Sequence, residues 1–240
     1  MELTSLGLYS QAIIVFAALV LFTSFVMLAQ TRIVPLIFTF AWQGFLLAVV
    51  TALVANVSSH PHLYISAALT LVLKMGLIPW LLYRLSVRLN MNYEAEVIAH
   101  PSLLLLSGAS LVIFSYVIAV PIVHLSGLAT RNTIAVSIAV ELLGMLIMVS
   151  RKTAMAQVIG FMSMENGLFF AAVVSTYGMP LIVELGVAFD VMVASILFGV
   201  FFFHLRDSFD SLDVSHLNRL SETNEPMPMR EVAEAEAEPP

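Results

Sequence analysis

The sequence predicts an all-α membrane protein, a polytopic bundle of seven transmembrane helices. Two observations lead to this fold class. Hydrophobic residues make up 60% of the 240 residues and charged residues only 11%, whereas a soluble domain usually carries about 25% charged residues. The apolar residues also fall into long continuous runs without period-two alternation, which argues against a transmembrane β-barrel. The composition therefore excludes an ordinary soluble enzyme.

The counts of acids, bases and cysteines narrow the function classes. The chain has 16 acids, 10 bases and a formal net charge of −6, which excludes a basic nucleic-acid reader. It has no cysteine, and this excludes disulfides, a cysteine nucleophile and iron–sulfur clusters held by its own thiolates. The sequence contains no phosphate loop, dinucleotide-binding glycine motif or zinc-protease motif. We therefore expect no cofactor or metal on this chain and no nucleic-acid partner.

Seven apolar runs are long enough to cross a hydrocarbon core of ~30 Å, which needs roughly 20 residues. Short polar breaks separate them, and the longest polar loop runs from Arg88 to Pro101. The first run follows Glu2 and no base, and it is longer than the core of a signal peptide, so we expect a retained helix. The predicted spans are Leu6–Ala29, Ile33–Asn56, Leu63–Val87, Ser102–His124, Asn132–Ser150, Thr153–Thr176 and Met179–Leu205.

The distribution of bases predicts the orientation of the spans, because bases in short loops stay on the cytoplasmic side. With seven spans, one side of the membrane collects six bases and the other side collects Arg131 alone. We therefore expect a multi-pass protein of the cell (inner) membrane, with its N-terminus outside and its C-terminus in the cytoplasm. The six bases are Arg32, Arg84, Arg88, Arg151, Lys152 and Arg206.

Changes in composition divide the chain into four predicted regions. After the last span, Phe209, Leu212, Leu217 and Leu220 fall on one side of a helix, which is typical of a short amphipathic surface helix. The residues that follow are rich in Glu, Ala and Pro and are expected to be disordered. The four regions are a four-helix membrane region (1–127), a three-helix region (128–206), an amphipathic cytoplasmic helix (207–220) and an acidic tail (221–240).

Five ionisable residues lie inside the apolar runs, where a charge at mid-bilayer costs at least ~2.5–3.5 kcal/mol on insertion scales. At a rise of ~1.5 Å per residue, Lys74 and Glu141 lie roughly 15 Å from the cytoplasmic edge. Glu165 and Asp190 lie roughly 20 Å from that edge, whereas Glu184 lies about 6 Å from the outer edge and is interfacial. We therefore expect the four deep residues to lie near one plane and to face protein or water.

These deep residues are candidates for ion translocation. They comprise one base and three acids, so at least one acid is expected to be protonated, solvated or paired with another subunit. Glu184 and His204 are candidate interfacial relay residues. For any single residue, a structural role in helix packing is the alternative. The predicted translocation residues are Lys74, Glu141, Glu165 and Asp190.

The predicted helix around Glu165 has two distinct faces. Ser163, Gly167 and Ala171 form a small-residue stripe at a spacing of four, which suits close helix packing. Glu165 is two positions from Ser163 and from Gly167, and this is about 200° around the helix. We therefore expect its carboxylate to point away from the close contact, towards another helix pair, a cavity or a partner protein.

Three segments together carry a resemblance to a known family. They are Leu73–Pro79 (LKMGLIP), Gln157–Gly167 (QVIGFMSMENG) and Glu184–Asp190 (ELGVAFD). From about residue 10 to 220 the chain resembles hydrogenase-4 component E, a membrane subunit of formate hydrogenlyase-type complexes. The last three spans are also similar to the small K-type subunit of respiratory complex I. Asp190 matches the third-helix acid of that subunit, while Glu165 comes one helical turn after the position of its second-helix acid.

The resemblance implies a subunit of a membrane-bound complex related to complex I and to group 4 NiFe hydrogenases. Its implied partners are antiporter-like membrane subunits and soluble NiFe hydrogenase subunits, which would carry the nickel–iron and iron–sulfur centres. This chain would carry no redox centre and would supply part of a proton (or sodium) path. Two alternatives are a purely structural anchor for the hydrogenase arm and a stand-alone secondary transporter. The lack of a clear internal repeat argues against the transporter.

Overall fold

The computed structural model describes residues 8–58, 62–88, 100–122, 128–175, 186, 188–193, 196–197 and 199–200. Nearly all of these residues are helical, in agreement with the predicted fold class. Residues 186, 188–193 and 196–197 are helical as well and are called the C-terminal helical segment below, and residues 199–200, which belong to a second compact unit, are also helical. The other helices are α1 (Leu8–Ala29), α2 (Ile33–Ser58), α3 (His62–Thr70), a π-helix (Leu71–Leu77), α4 (Ile78–Arg88), α5 (Pro101–Ile122), α6 (Leu128–Ser150) and α7 (Ala154–Ser175).

Within the described ranges, 6 helices are long and apolar enough to cross a membrane, and this confirms an all-α membrane bundle. One of them, Leu63–Val87, joins α3, the π-helix and α4 into a single span. The predicted seventh span, Met179–Leu205, lies largely outside the described residues, although residues 188–193 are helical. The predicted amphipathic helix and the acidic tail lie wholly outside them.

Helices α1, α2, α6 and α7 share a core of apolar side chains. Val20, Val50, Val140 and Phe170, one from each helix, are all fully buried in it. Helix α5 packs on the outside of this group, against α1 and α6, and exposes most of its large apolar side chains. A membrane supplies an apolar solvent for such a surface.

Helices α6 and α7 approach each other at backbone distance. A Cβ atom at Gly160 of α7 would lie 2.6 Å from the amide nitrogen of Met148, and one at Gly167 would lie 2.6 Å from that of Glu141. Gly144 of α6 is in equally close contact with the α7 backbone. Small residues allow this approach, in which van der Waals contact holds membrane helices together. The close contact predicted at Gly167 is thereby confirmed.

The α1–α2 and α6–α7 turns meet at one end of the bundle. The side chain of Arg151 is fully buried, and its guanidinium donates to the carbonyl oxygens of Met27 (3.2 Å) and Leu28 (3.0 Å). These carbonyls belong to the last turn of α1, where a helix favours positive charge. The carbonyl of Arg151 in turn accepts a hydrogen bond of 2.9 Å from the side chain of Gln157. The turns that carry Arg32 and Arg151 therefore lie at the same end.

Candidate functional site

Three of the four deep ionisable residues meet in one buried group, which we call the charge cluster (Lys74, Glu165 and Asp190). The Lys74 Nζ atom forms an ion pair with Glu165 Oε2 and lies 3.4 Å from Asp190 Oδ1. The side chains of Lys74 and Asp190 are 0% exposed and that of Glu165 is 9% exposed. The π-helix, the C-terminal helical segment and α7 therefore each supply one charged group to a single contact.

The charge cluster contains one base and two acids, so it is unbalanced when all three groups are ionised. The ammonium of Lys74 can offset one carboxylate, and an uncompensated second charge in a buried site is costly. One proton held by the two carboxylates makes the cluster neutral, and loss of that proton leaves one negative charge. The cluster therefore has the composition of a proton-binding site.

The π-helix and α2 hold the stem of Lys74. The Ile78 amide donates to the carbonyl of Leu73, which lies five residues earlier in the chain. In an α-helix the acceptor would be the carbonyl four residues earlier. π-Helical turns are rare and occur frequently at functional sites. On the facing side of α2, a Cβ atom at Gly44 would lie 2.8 Å from the Lys74 Cβ and 3.0 Å from its carbonyl carbon. A glycine at position 44 is therefore needed for the lysine backbone to come this close.

A series of buried hydrogen bonds leads from Lys74 to α1, and we call it the amide chain (Asn166, Gln43 and Ser24). The Lys74 ammonium donates to Asn166 Oδ1 at 2.7 Å, and Asn166 Nδ2 donates to Gln43 Oε1 at 3.0 Å. Gln43 Nε2 donates to Ser24 Oγ at 2.8 Å, and this hydroxyl donates to the Val20 carbonyl at 3.1 Å. The three side chains are fully buried. The amide chain thus connects the charge cluster through α7 and α2 to α1.

A groove of about 350 Å³ in the surface of the described chain leads to Glu165. Its lining is otherwise almost entirely apolar and includes Phe161 and Phe189, whose rings are 5.6 Å apart. Phe169 also lines the groove, and its ring centroid lies 5.1 Å from Lys74 Nζ, within range of a cation–π interaction. Because Glu165 is the partly exposed member of the charge cluster, the groove is where the cluster reaches the surface of the described chain.

The other predicted site residues do not join the charge cluster. Glu141 is half-buried on α6, and its backbone packs against Gly167, on the face of α7 turned away from Glu165. In the part of the chain that the structure describes, no hydrogen bond or ion pair links Glu141 to the cluster. Glu184 and His204 lie outside the described residues. No group of three His, Cys, Asp or Glu side chains in the described ranges could hold a metal ion.

Sequence reasoning missed the amide chain. Asn166 is visible in the sequence beside Glu165, but its link to Gln43 depends on the packing of α2 against α7. An uncharged amide near the middle of the apolar span Ile33–Asn56 is the signal that could have identified Gln43, because such residues bond across membrane helices. Ser24 gives no comparable signal, since serine often bonds within its own helix.

Comparisons with known proteins place the chain in a family. No family model matches it, and no solved structure does. The uncharacterized protein Rv0085 of Mycobacterium tuberculosis (strain ATCC 25618 / H37Rv) is 33% identical over 181 residues, which cover 75% of this chain and 82% of that protein. Hydrogenase-4 component E of Escherichia coli (strain K12) and of Shigella flexneri is 24% identical over 181 residues, 75% of this chain and 84% of each relative. The predicted resemblance to hydrogenase-4 component E is confirmed, and the chain belongs to the family of the mycobacterial protein.

Proposed function

We propose that this protein is a membrane subunit of a hydrogenase-type complex, and that its charge cluster contributes to a proton (or sodium) path coupled to electron transfer in other subunits. Family membership supports the first part. One observation carries the second: Lys74 lies between Glu165 and Asp190 inside an apolar bundle. Ionisable residues within membrane spans are costly, and they mark ion paths in pumps and transporters.

Exchange of the ammonium between the two carboxylates is the proposed elementary step. Lys74 Nζ is paired with Glu165 and is 3.4 Å from Asp190, so a small movement of this flexible side chain exchanges its partner. When the ammonium moves to Asp190, Glu165 loses its counterion and takes up a proton from the groove, and the net charge of the cluster changes from −1 to zero. When the ammonium returns, Glu165 releases that proton to an acceptor in a partner membrane subunit, and the net charge returns to −1.

The proposed role makes this chain a non-catalytic subunit of an oxidoreductase complex. The family relatives that carry a functional name are components of hydrogenase 4, and the corresponding partners here are antiporter-like membrane subunits and soluble NiFe hydrogenase subunits. The redox centres belong to those soluble subunits. Helix α5 offers an exposed apolar surface for membrane partners, and the proposed location is the inner membrane with a cytoplasmic C-terminus.

Neutralising the two acids of the charge cluster tests the proposed function. Glu165→Gln and Asp190→Asn keep shape and polarity and remove the titratable proton. Proton uptake is measured in vesicles that hold the whole complex, with Glu141→Gln as an acid outside the cluster for comparison. We expect normal assembly, impaired uptake in both cluster variants and a smaller effect at Glu141. Electron transfer by the detached soluble arm should be unchanged, because its redox centres are elsewhere.

A purely structural anchor is the second candidate, and the amide chain favours it. Its bonds between Asn166, Gln43 and Ser24 join three helices without using any titratable group. If the chain is only an anchor, the Glu165→Gln/Asp190→Asn double variant assembles and retains full coupling. That outcome would overturn ion translocation while leaving the membrane-subunit assignment intact. Should the double variant fail to assemble, Glu165→Asp, which keeps the charge on a shorter side chain, becomes the deciding variant.

A further inference from the structure

We propose that Gln43 and Asn166 are positioning residues, which fix the ammonium of Lys74 so that it can serve both Glu165 and Asp190. This inference rests on the proposed function of the charge cluster. It goes further by giving a role in ion transfer to two uncharged amides, neither of which titrates.

The two ends of the amide chain determine how both amides are oriented. The Lys74 ammonium can only donate, and the Val20 carbonyl can only accept. Asn166 must therefore turn its oxygen to Lys74 and its NH₂ group to Gln43. Gln43 must in turn offer its NH₂ group to Ser24. Rotation of either amide by half a turn would bring two donors together or two acceptors together, so the chain has one favourable arrangement of donors and acceptors.

That arrangement fixes the rotation of the ammonium group. A lysine ammonium has three N–H donors at tetrahedral angles. One of them is directed to Asn166 Oδ1 and another to Glu165 Oε2. Asp190 Oδ1 lies 3.4 Å from Nζ and accepts no hydrogen bond from it. Asp190 is thus the loosely held partner, while Asn166 supplies a neutral acceptor that need not change as the ammonium exchanges carboxylates.

A neutral amide at position 166 has a clear advantage over a third carboxylate. An acid at position 166 would add a negative charge to a cluster that already has more acids than bases, and it could not donate to Gln43 Oε1 when ionised. A leucine would leave one N–H of the buried ammonium without an acceptor, which is unfavourable at this depth. An amide accepts a hydrogen bond from the ammonium and adds no charge. Its own NH₂ group is held by Gln43 of α2, which in turn bonds to Ser24 of α1.

Infrared titration of the full chain in lipid nanodiscs tests the inference without requiring the partner subunits. The signal is the part of the protonated-carboxyl band that Glu165→Gln and Asp190→Asn remove. In Gln43→Leu, Asn166 loses the acceptor of its NH₂ group and therefore positions the Lys74 ammonium less firmly. The protonated-carboxyl band should then persist to a pH about one unit higher than in the wild type, which is the size expected when a hydrogen bond to a charged group is weakened. The matched control is Thr51→Val, which removes a buried hydroxyl on the same helix that donates to the Leu47 carbonyl of its own helix. It should leave the band unchanged.

Gln43→Glu separates positioning from packing. A protonated glutamic acid can accept from Asn166 and donate to Ser24, whereas the ionised form cannot donate. In vesicles that hold the whole complex, proton uptake by Gln43→Glu should approach the wild type at acid pH and fall below it at alkaline pH. Uptake by Gln43→Leu should be reduced at all pH values while the amount of assembled complex is unchanged.

Two outcomes would overturn the inference. One is a carboxyl band in Gln43→Leu that titrates like that of the wild type. The other is a smaller amount of assembled complex whose proton uptake has the wild-type pH profile, which is the behaviour expected of a packing residue. If Gln43→Leu does not insert, Gln43→Glu decides alone, and uptake with the wild-type pH profile contradicts positioning. If Glu165→Gln and Asp190→Asn abolish uptake while both Gln43 variants behave as wild type, positioning is wrong and the proposed function stands.

Discussion

Gly44 of α2 lies directly against Lys74, so that a methyl group at position 44 would come within 2.8 Å of the lysine Cβ. The neighbouring atoms are the Lys74 carbonyl carbon and oxygen, each 3.0 Å from that methyl group. Backbone atoms cannot move aside as the end of a flexible side chain can. The position of α2 therefore determines how deeply the π-helix, and with it the lysine, enters the bundle.

Gly44→Ala should destabilise the protein and disturb the charge cluster. Forcing a methyl group into a well-packed site costs typically about 1–3 kcal/mol, and here the displaced group is the Lys74 backbone. Thermal unfolding in nanodiscs measures the loss of stability. Gly76→Ala is the matched control, because a Cβ atom at Gly76 meets nothing within 4 Å. Equal melting temperatures for the two variants would contradict the close approach of α2 to Lys74.

Lys74→Met should be among the most destabilising single substitutions in the bundle. Removal of the ammonium leaves Glu165 and Asp190 buried without a counterion, and breaking a buried pair in this way costs about 3–5 kcal/mol. Adding Glu165→Gln and Asp190→Asn to Lys74→Met should restore much of the stability, because the triple variant has no uncompensated charge. The amount of folded protein recovered from membranes and its unfolding midpoint are the measurements. A triple variant no more stable than Lys74→Met would show that the three residues do not act as one group.

Arg151→Leu should loosen the end of the bundle where the turns of α1–α2 and α6–α7 meet. The substitution removes hydrogen bonds to the carbonyls of Met27 and Leu28, and bonds to a charged group contribute about 1.5–3 kcal/mol. Arg151→Lys should recover only part of the loss, because an ammonium lacks the planar fork of a guanidinium. The exposed neighbour Lys152 provides the control as Lys152→Gln. Hydrogen exchange of the last turn of α1 should increase most in Arg151→Leu, less in Arg151→Lys and not in Lys152→Gln.

Reporter fusions test the predicted orientation. Arg151 lies at the end that also carries the turn of Arg32, and bases are retained in the cytoplasm. Fusions after Arg151 should therefore report a cytoplasmic location and fusions at Tyr177 an outside location. A C-terminal tail found outside the cell would contradict the seven-span arrangement, whereas the six spans seen in the described residues would stand.

Span boundaries and one helix face could be predicted from the sequence. The predicted span Thr153–Thr176 differs by a single residue at each end from α7 (Ala154–Ser175), because the thickness of the apolar phase determines where such a helix ends. The direction of Glu165 also followed from the regular angle between successive residues. Both inferences needed only local geometry.

The composition of the charge cluster could not be predicted from depth alone. The sequence predicts the same depth for Glu141 and Lys74, yet Glu141 packs on a different side of α7. Depth gives a position along each helix axis, whereas contact also depends on how each helix is rotated about that axis. Packing against neighbouring helices fixes this rotation. Within the span that contains Lys74, the π-helix changes the rotation of the helix about its axis further, and no feature of the sequence predicts that change.

The π-helix has a consequence for how this family tolerates insertions and deletions. Compared with a continuous α-helix, the wider turn between Leu71 and Leu77 accommodates about one additional residue. Loss of one residue there would convert the wide turn to an ordinary α-helical turn and would leave the later side chains of the span near their present angle about the helix axis. Trp80 and Tyr83 would still line their groove beside α2, whereas the backbone around Lys74 would lose its π-helical turn. A single-residue gap here in a relative would therefore mark a change in the lysine site and not in the rest of the span.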